Sequence, residues 1–255
     1  MADRIAFVTS GATGLGYATV RALLEAGWDV FFTYRNNAAN ADTLVKYGQN
    51  LGRRVTCAQA DLLDKSEAVA AAEQCLETFG RVDAFVHNFG PFVFEHMAVA
   101  DYPTDLWVKM LDGNLTNFLW LYPLFAGGMR KNRFGRIVTV GFAGAGDAAG
   151  WRYRGPYAAA KSALASLTRT IAREERTNGI TANMVCPGDI QGAHKMERIE
   201  DVLPTSDPVH RPPVGEDVAR LIVFLCHPLS SQVNGTVTEI TGGYDILHTN
   251  WKNER

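Results

Sequence analysis

The sequence predicts an α/β fold: one domain over residues 1–255, a doubly wound parallel sheet of about seven strands with helices on both faces. Three observations predict it. Short runs rich in Val, Ile, Phe and Thr alternate with longer stretches of helical periodicity. No repeat, low-complexity segment or linker divides the chain. At 255 residues, with 47% hydrophobic and 20% charged side chains, it can bury a large core.

The elements follow in order. RIAFVT reads as the first strand and leads through VTSGATGLG into a helical stretch near 14–26. WDVFFTY is the second strand, and helical periodicity near 40–51 carries the chain to RRVTCAQA. A stretch near 64–79 precedes VDAFVHN, and one long stretch near 103–131 precedes GRIVTVG. Another near 155–178 precedes GITANMVC. The last, near 215–227, begins just after Pro213, carries Asp217 in its first turn and precedes GTVTEIT. Strands linked by helices pair in parallel, which places helices on both faces. Residues 189–213 (DIQGAHKMERIEDVLPTSDPVHRPP) break the rhythm: they are polar, hold four prolines and lack a strand. A loop this long in a compact domain is usually functional, and it is expected to act as a lid.

Composition excludes several classes. A net charge of −2 and a pI near 6.3 offer no field for nucleic acid. No apolar run reaches the about 18 residues of a membrane helix. The longest candidate, FLWLYPLFAGGM, is interrupted by Pro123 and two glycines. MADRIAFVTS has an early Asp3 and too short an apolar stretch for a signal peptide. Four scattered cysteines and six histidines show no ligand spacing, so the expectation is free thiols in a reducing cytoplasm, with no metal and no disulfide.

Two motifs carry chemistry. In GPYAAAKSAL, Tyr157 and Lys161 are four residues apart, on one face if the stretch is helical. A neighbouring ammonium favours phenolate, so it is expected to lower the tyrosine pKa from its ordinary value of about 10. Such a tyrosine can exchange a proton with a carbonyl or alcohol oxygen near neutral pH. Alone, the pair is more often an exposed helix with an incidental aromatic. The second motif, VTSGATGLG, sits where a first strand gives way to a first helix. Its glycines let the backbone approach an anion, and the helix N-terminus offers unpaired N–H groups.

T-x-G-x-x-G-x-G, Asp61 after the third strand, H-N-x-G after the fourth, Asn114 mid-chain, Y-x-x-x-K, and P-G after the sixth strand occur in that order. Together they resemble the short-chain dehydrogenase/reductase family over almost the whole chain, and within it most closely the bacterial β-ketoacyl-ACP (3-oxoacyl-ACP) reductases. The resemblance implies a Rossmann-type fold, hydride transfer from a nicotinamide cofactor, and a small-molecule or acyl-thioester substrate. It implies that Thr9, Ser10, Gly11, Thr13, Gly14, Leu15 and Gly16 cradle a pyrophosphate. Asp61 and Leu62 would flank the adenine, Asn88 and Gly90 the ribose, and Pro187, Gly188 and Ile190 the nicotinamide. Tyr157 would supply the proton, Lys161 would hold the ribose and tune Tyr157, and Asn114 would support a proton relay. Relatives pair helices into tetramers, and Ala158, Ala159, Ala160, Ala163 and Ala165 suit such pairing, so a homotetramer is expected.

Cofactor choice has its own argument. An acid at the end of the second strand would bind a ribose 2′-hydroxyl and repel a 2′-phosphate. Tyr34 stands there instead, followed by Arg35, whose fork suits a phosphate. NADP(H) is therefore expected over NAD(H).

The sequence also departs from the family pattern. Ser10 replaces a glycine, which fits if that turn needs no positive φ. His87 and Phe89 alter N-N-A-G, and Gly192 replaces a threonine after P-G. Gly141 and Phe142 stand where the family places the serine that supports the substrate oxygen. Losing one such donor typically costs about 10² to 10³ in rate. Either Asp147, Tyr153 or a backbone N–H replaces it, or the substrate is an enone or a C=N compound, as in enoyl- or pterin-type reductases, or the protein binds cofactor with weak catalysis. Phe92, Phe142 and Tyr153, with Phe94 and Trp151, are the expected substrate pocket.

Overall fold

The alternating pattern resolves into one sheet. The computed structural model describes residues 4–203, 211–243 and 247. Strands β1 (Ile5–Val8), β2 (Asp29–Tyr34), β3 (Val55–Gln59), β4 (Ala84–His87), β5 (Gly135–Val140), β6 (Ile180–Pro187) and β7 (Val237–Ile240) pair in parallel in the order β3-β2-β1-β4-β5-β6-β7. The order reverses between β1 and β4, where Ala6 faces Ala84 and Val8 faces Val86. In such sheets the connections leave in opposite directions at the reversal, which opens a crevice at the carboxyl ends of the strands.

Eight α-helices are described: α1 (Gly14–Glu25), α2 (Ala38–Asn50), α3 (Lys65–Phe79), α4 (Thr104–Leu111), α5 (Asn117–Asn132), α6 (Gly155–Glu174), the short α7 (Ile199–Val202) and α8 (Gly215–Cys226). Local signals set their limits. Asp64 caps α3 by accepting from the amides of Ser66 and Glu67, and Gly80 ends it with φ 77°. Asp217 in the first turn of α8 accepts from the Val214 amide at 2.9 Å.

Each sheet face buries its own core. Beneath α3, α5 and α6 lies an aromatic cluster in which Phe7 stacks on Phe31 at 5.5 Å and Phe85 on Phe118 at 5.5 Å. Beneath α1, α2 and α8 lie Val8, Val30, Phe32, Val86 and Val185. Strands buried on both faces explain the near-continuous apolar runs of the sequence.

Several details differ from the sequence reading. The stretch 103–131 is two helices joined by a π turn, Asp112–Thr116, which places Asn114 inside the molecule. Helix α5 continues through Pro123. Ser10 adopts φ 55°, so its turn does require the left-handed region, at a cost of roughly 1 kcal/mol that glycine avoids. Of the five α6 alanines expected to serve pairing, Ala158, Ala160 and Ala165 are buried within the chain and only Ala159 and Ala163 are exposed. The segment 189–213 is partly ordered: a 3₁₀ turn (Gly192–Lys195) and α7 precede residues 204–210, which lie outside the described residues. Among the described residues no helix is long and apolar enough to cross a membrane.

Candidate active site

The crevice at the switch point is a cleft of about 1010 Å³ that runs from the β2 end, at Tyr34 and Arg35, to Tyr157 and Phe142. Its middle is the turn between β1 and α1. Ser10, Thr13, Gly14 and Leu15 line it. Thr9, Gly11 and Gly16 do not, because they build the turn from behind. The Thr9 hydroxyl accepts from the amides of Asn88 and Phe89, at 2.8 and 2.9 Å. A Cβ on Gly16 would collide with the Ser10 carbonyl and approach Asn88 Nδ2 to 2.7 Å, so only glycine lets helix and loop meet. This backbone cradle at a helix N-terminus fits a pyrophosphate.

At the β2 end the exposed Arg35 lies 3.8 Å from the partly buried Asp61. Leu62, Asn88, Gly90, Pro187, Gly188 and Ile190 all line the cleft. Asp61 does not line it directly, but its Oδ1 accepts from the Leu63 amide at 3.0 Å and shapes that loop.

At the far end, Tyr157 and Lys161 face the cleft from α6. The Lys161 Nζ is 5.8 Å from the centre of the Tyr157 ring. Asn114 does not line the cleft but stands behind Gly90. Its Nδ2 donates to the carbonyls of Pro91 and Met110, at 2.9 and 3.0 Å, and its buried Oδ1 has no partner. A Cβ on Gly90 would collide with Asn114 Oδ1 and come 3.0 Å from Lys161 Nζ, so the two polar atoms converge on one spot. An orphaned buried acceptor beside an ammonium fits a bridging donor such as a water.

The electrostatics correct one expectation. Burial, reinforced by the Cys186 thiol, raises the Tyr157 pKa above its ordinary value instead of lowering it. Burial also lowers Lys161 to about 8. The tyrosine is therefore held protonated through the neutral range. His87, at the end of β4, is buried and hydrogen-bonded to Asn117 at 2.9 Å, and burial lowers it to about 3, so it stays neutral.

The serine position is closed. A Cβ on Gly141 would lie 2.6 Å from Met184 Sδ and 2.9 Å from Cys186 Sγ. Phe142 is 2% exposed and stacks on Trp151 at 5.3 Å. Phe92 meets the Tyr157 ring edge-on at 4.9 Å. Aromatic surface thus stands where a hydroxyl was expected. Neither side chain suggested as a replacement reaches the cleft. Asp147 is exposed, and Tyr153, at φ 62°, turns away to stack on His96 at 5.0 Å. Tyr153 is thereby corrected: it is no pocket residue, because its strained backbone directs the ring elsewhere. Sequence reasoning missed Lys109, Asp189 and Lys195, which also line the cleft. No motif marked them.

A Rossmann-type sheet whose cleft joins an anion cradle to a buried tyrosine–lysine pair defines a dinucleotide-dependent oxidoreductase. Residues 11–245 match the family model described as "Enoyl-(Acyl carrier protein) reductase". The chain is 42% identical to the "Putative oxidoreductase YtkK" of Bacillus subtilis, over 97% of this chain and 98% of that one. Among solved structures, the "putative 3-oxoacyl-reductase" of Bacillus thuringiensis is similar with a TM-score of 0.89 at 41% identity, covering 96% of this chain and 100% of that one. A "blue fluorescent protein from metagenomic library in complex with NADPH" has a TM-score of 0.81 at 31% identity, with coverage of 94% and 97%. A 7α-hydroxysteroid dehydrogenase complexed with NADH has a TM-score of 0.82 at 25% identity, with coverage of 95% and 94%. The chain belongs to the short-chain dehydrogenase/reductase family.

The closed serine position yields a prediction. Phe142→Ser should not raise turnover, because it removes stacked apolar surface. It should cost about 3 kcal/mol or more of stability, the range for emptying a buried aromatic site. Urea unfolding and a reductase assay check both.

Proposed function

We propose that the protein is an NADP(H)-dependent carbonyl reductase acting on a 3-oxoacyl-thioester-like substrate. The observation that carries the reading is the single cleft joining the phosphate cradle to Tyr157 and Lys161. Bound there, the cofactor would supply hydride from its nicotinamide. The chain supplies the rest. Pro187, Gly188 and Ile190 flank the nicotinamide, and Phe92, Phe142 and Trp151 exclude water from the reacting carbonyl. The Tyr157 phenol, kept protonated by burial, gives its proton to the carbonyl oxygen. Lys161 holds the ribose and, as the ammonium below about pH 8, favours the phenolate left behind. To close the cycle, Lys161 would pass a proton back to the Tyr157 phenolate and regain one through a water held at Asn114 Oδ1.

A second reading, reduction of an enone or a C=N bond, draws on the aromatic closure at Phe142, since such a substrate does not need the serine donor. NADPH oxidation measured over acetoacetyl thioesters, diketones, enones and pterins separates the two readings.

Arg35 is the proposed reader of the 2′-phosphate, since no acid at Tyr34 opposes that group. One solved neighbour is complexed with NADPH and another with NADH, so the choice rests on Arg35. The two exposed alanines of α6 support assembly into a homotetramer. A monomeric mass by light scattering at micromolar concentration would reject that assembly.

Tyr157→Phe should keep cofactor affinity while turnover falls by about 10² or more. Undiminished turnover would overturn the catalytic assignment. Arg35→Ala should weaken NADPH binding by about 1–3 kcal/mol and leave NADH nearly unaffected. Equal losses in a binding titration would reject Arg35 as the phosphate reader.

A further inference from the structure

We propose that Lys195, carried on the segment after β6, binds the pyrophosphate bridge of the dinucleotide. This rests on the reading that the cleft binds a nicotinamide dinucleotide.

The position is built. The segment carrying Lys195 is tied to three helices. The Met196 carbonyl accepts from Arg21 Nη1 of α1 at 3.2 Å. The Ile199 amide donates to Glu216 of α8 at 2.7 Å. Arg198 binds Glu25 of α1 and donates to the Tyr47 hydroxyl of α2 at 3.2 Å. The Lys195 carbonyl packs so closely on the first turn of α8 that only Gly215 fits beneath it. The backbone at Lys195 is thus fixed, and the side chain extends over the cradle. Its Cδ lies 3.9 Å from the position of a Cβ on Gly14.

The charge has no other use among the described residues. His194 pairs with Glu197 at 2.5 Å, Arg198 with Glu25, and Arg211 with Asp217. Lys195, between His194 and Arg198, has no hydrogen bond or ion pair there, yet it lines the cleft. A cation without a carboxylate beside a helix N-terminus is matched to a diphosphate, which carries charge that helix amides only partly neutralise. Four cations among the described residues line the cleft. Beside Lys109, Arg35 would serve the adenosine end, Lys195 the pyrophosphate and Lys161 the nicotinamide ribose. Arg35 would read a group found only in NADP(H). Lys195 would read one common to both cofactors.

That difference defines the test. Fluorescence titrations with NADPH and with NADH are made on the parent protein, Lys195→Gln and Lys195→Arg. Lys195→Gln should raise Kd for both cofactors by a similar factor, about tenfold or more, the scale of removing a charged hydrogen bond. Lys195→Arg should restore most of the affinity. The Kd of Lys195→Gln should also depend less on ionic strength than the parent's. Unchanged Kd values would overturn the inference alone. A loss confined to NADPH would overturn it too, by assigning Lys195 to the 2′-phosphate. A parent that binds neither cofactor would overturn the cofactor reading and this inference together.

Discussion

The site depends on how β1 parts from β4. Side by side in the sheet, their chains must separate at the carboxyl end to leave room for a ligand, without exposing unpaired backbone. The Thr9 side chain makes this possible. Its hydroxyl takes the first two amides after β4, those of Asn88 and Phe89, which have left the ladder. Asn88 returns its side-chain amide to the Thr9 carbonyl at 3.3 Å. The opening is therefore held by bonds across the switch point, with the groups facing the cleft left free. The Gly16 contact then seats α1 against the same loop, so its N-terminal amides face the cleft. Ser10 accepts a left-handed conformation within this arrangement, and its amide is paired with Thr33 Oγ1 at 3.0 Å.

At the other end the governing term is burial. Spacing alone makes Tyr157 and Lys161 neighbours and suggests that the ammonium acidifies the phenol. Packing reverses the balance. Phe92, Phe142 and Trp151 surround the ring, and desolvation penalises both charged forms. The phenol rises and the ammonium falls toward about 8. A protonated phenol is the state that the proposed proton donation to a carbonyl requires.

Much of this was legible in the chain. Seven apolar runs mark seven strands because a sheet covered on both faces needs apolar side chains on both. The ordered motifs locate the phosphate turn, the strand ends and the Tyr157–Lys161 face of the cleft because glycine turns, strand ends and one helix face are short-range features. The rest depends on contacts distant in sequence. The π turn that buries Asn114 has no local signature within a continuous helical pattern. The direction of Tyr153 follows from a strained φ and from His96, which is 57 positions away (153 − 96). Lys195 reaches Gly14 only because α1 and α8 hold its segment down. The five α6 alanines expected to pair look alike in sequence, and only packing shows that three of them are already used within the chain.

The serine position shows how one substitution spreads. Gly141 is not simply a serine without its side chain, because Met184 and Cys186 occupy the space such a side chain would need. Phe142 is not a polar contact turned apolar, because Trp151 stacks on it. Met184, Cys186, Phe142 and Trp151 fill the region together. Restoring a hydroxyl would therefore require repacking of the sheet surface beneath it as well as one change of side chain. Where a hydrogen-bond donor was expected the pocket has aromatic area, which favours binding through apolar contact and, on the proposed reading, would leave the substrate oxygen chiefly to Tyr157. A substrate that needs little support at that oxygen beyond one phenol, and that offers an apolar body to Phe92, Phe142 and Trp151, is the one this geometry selects.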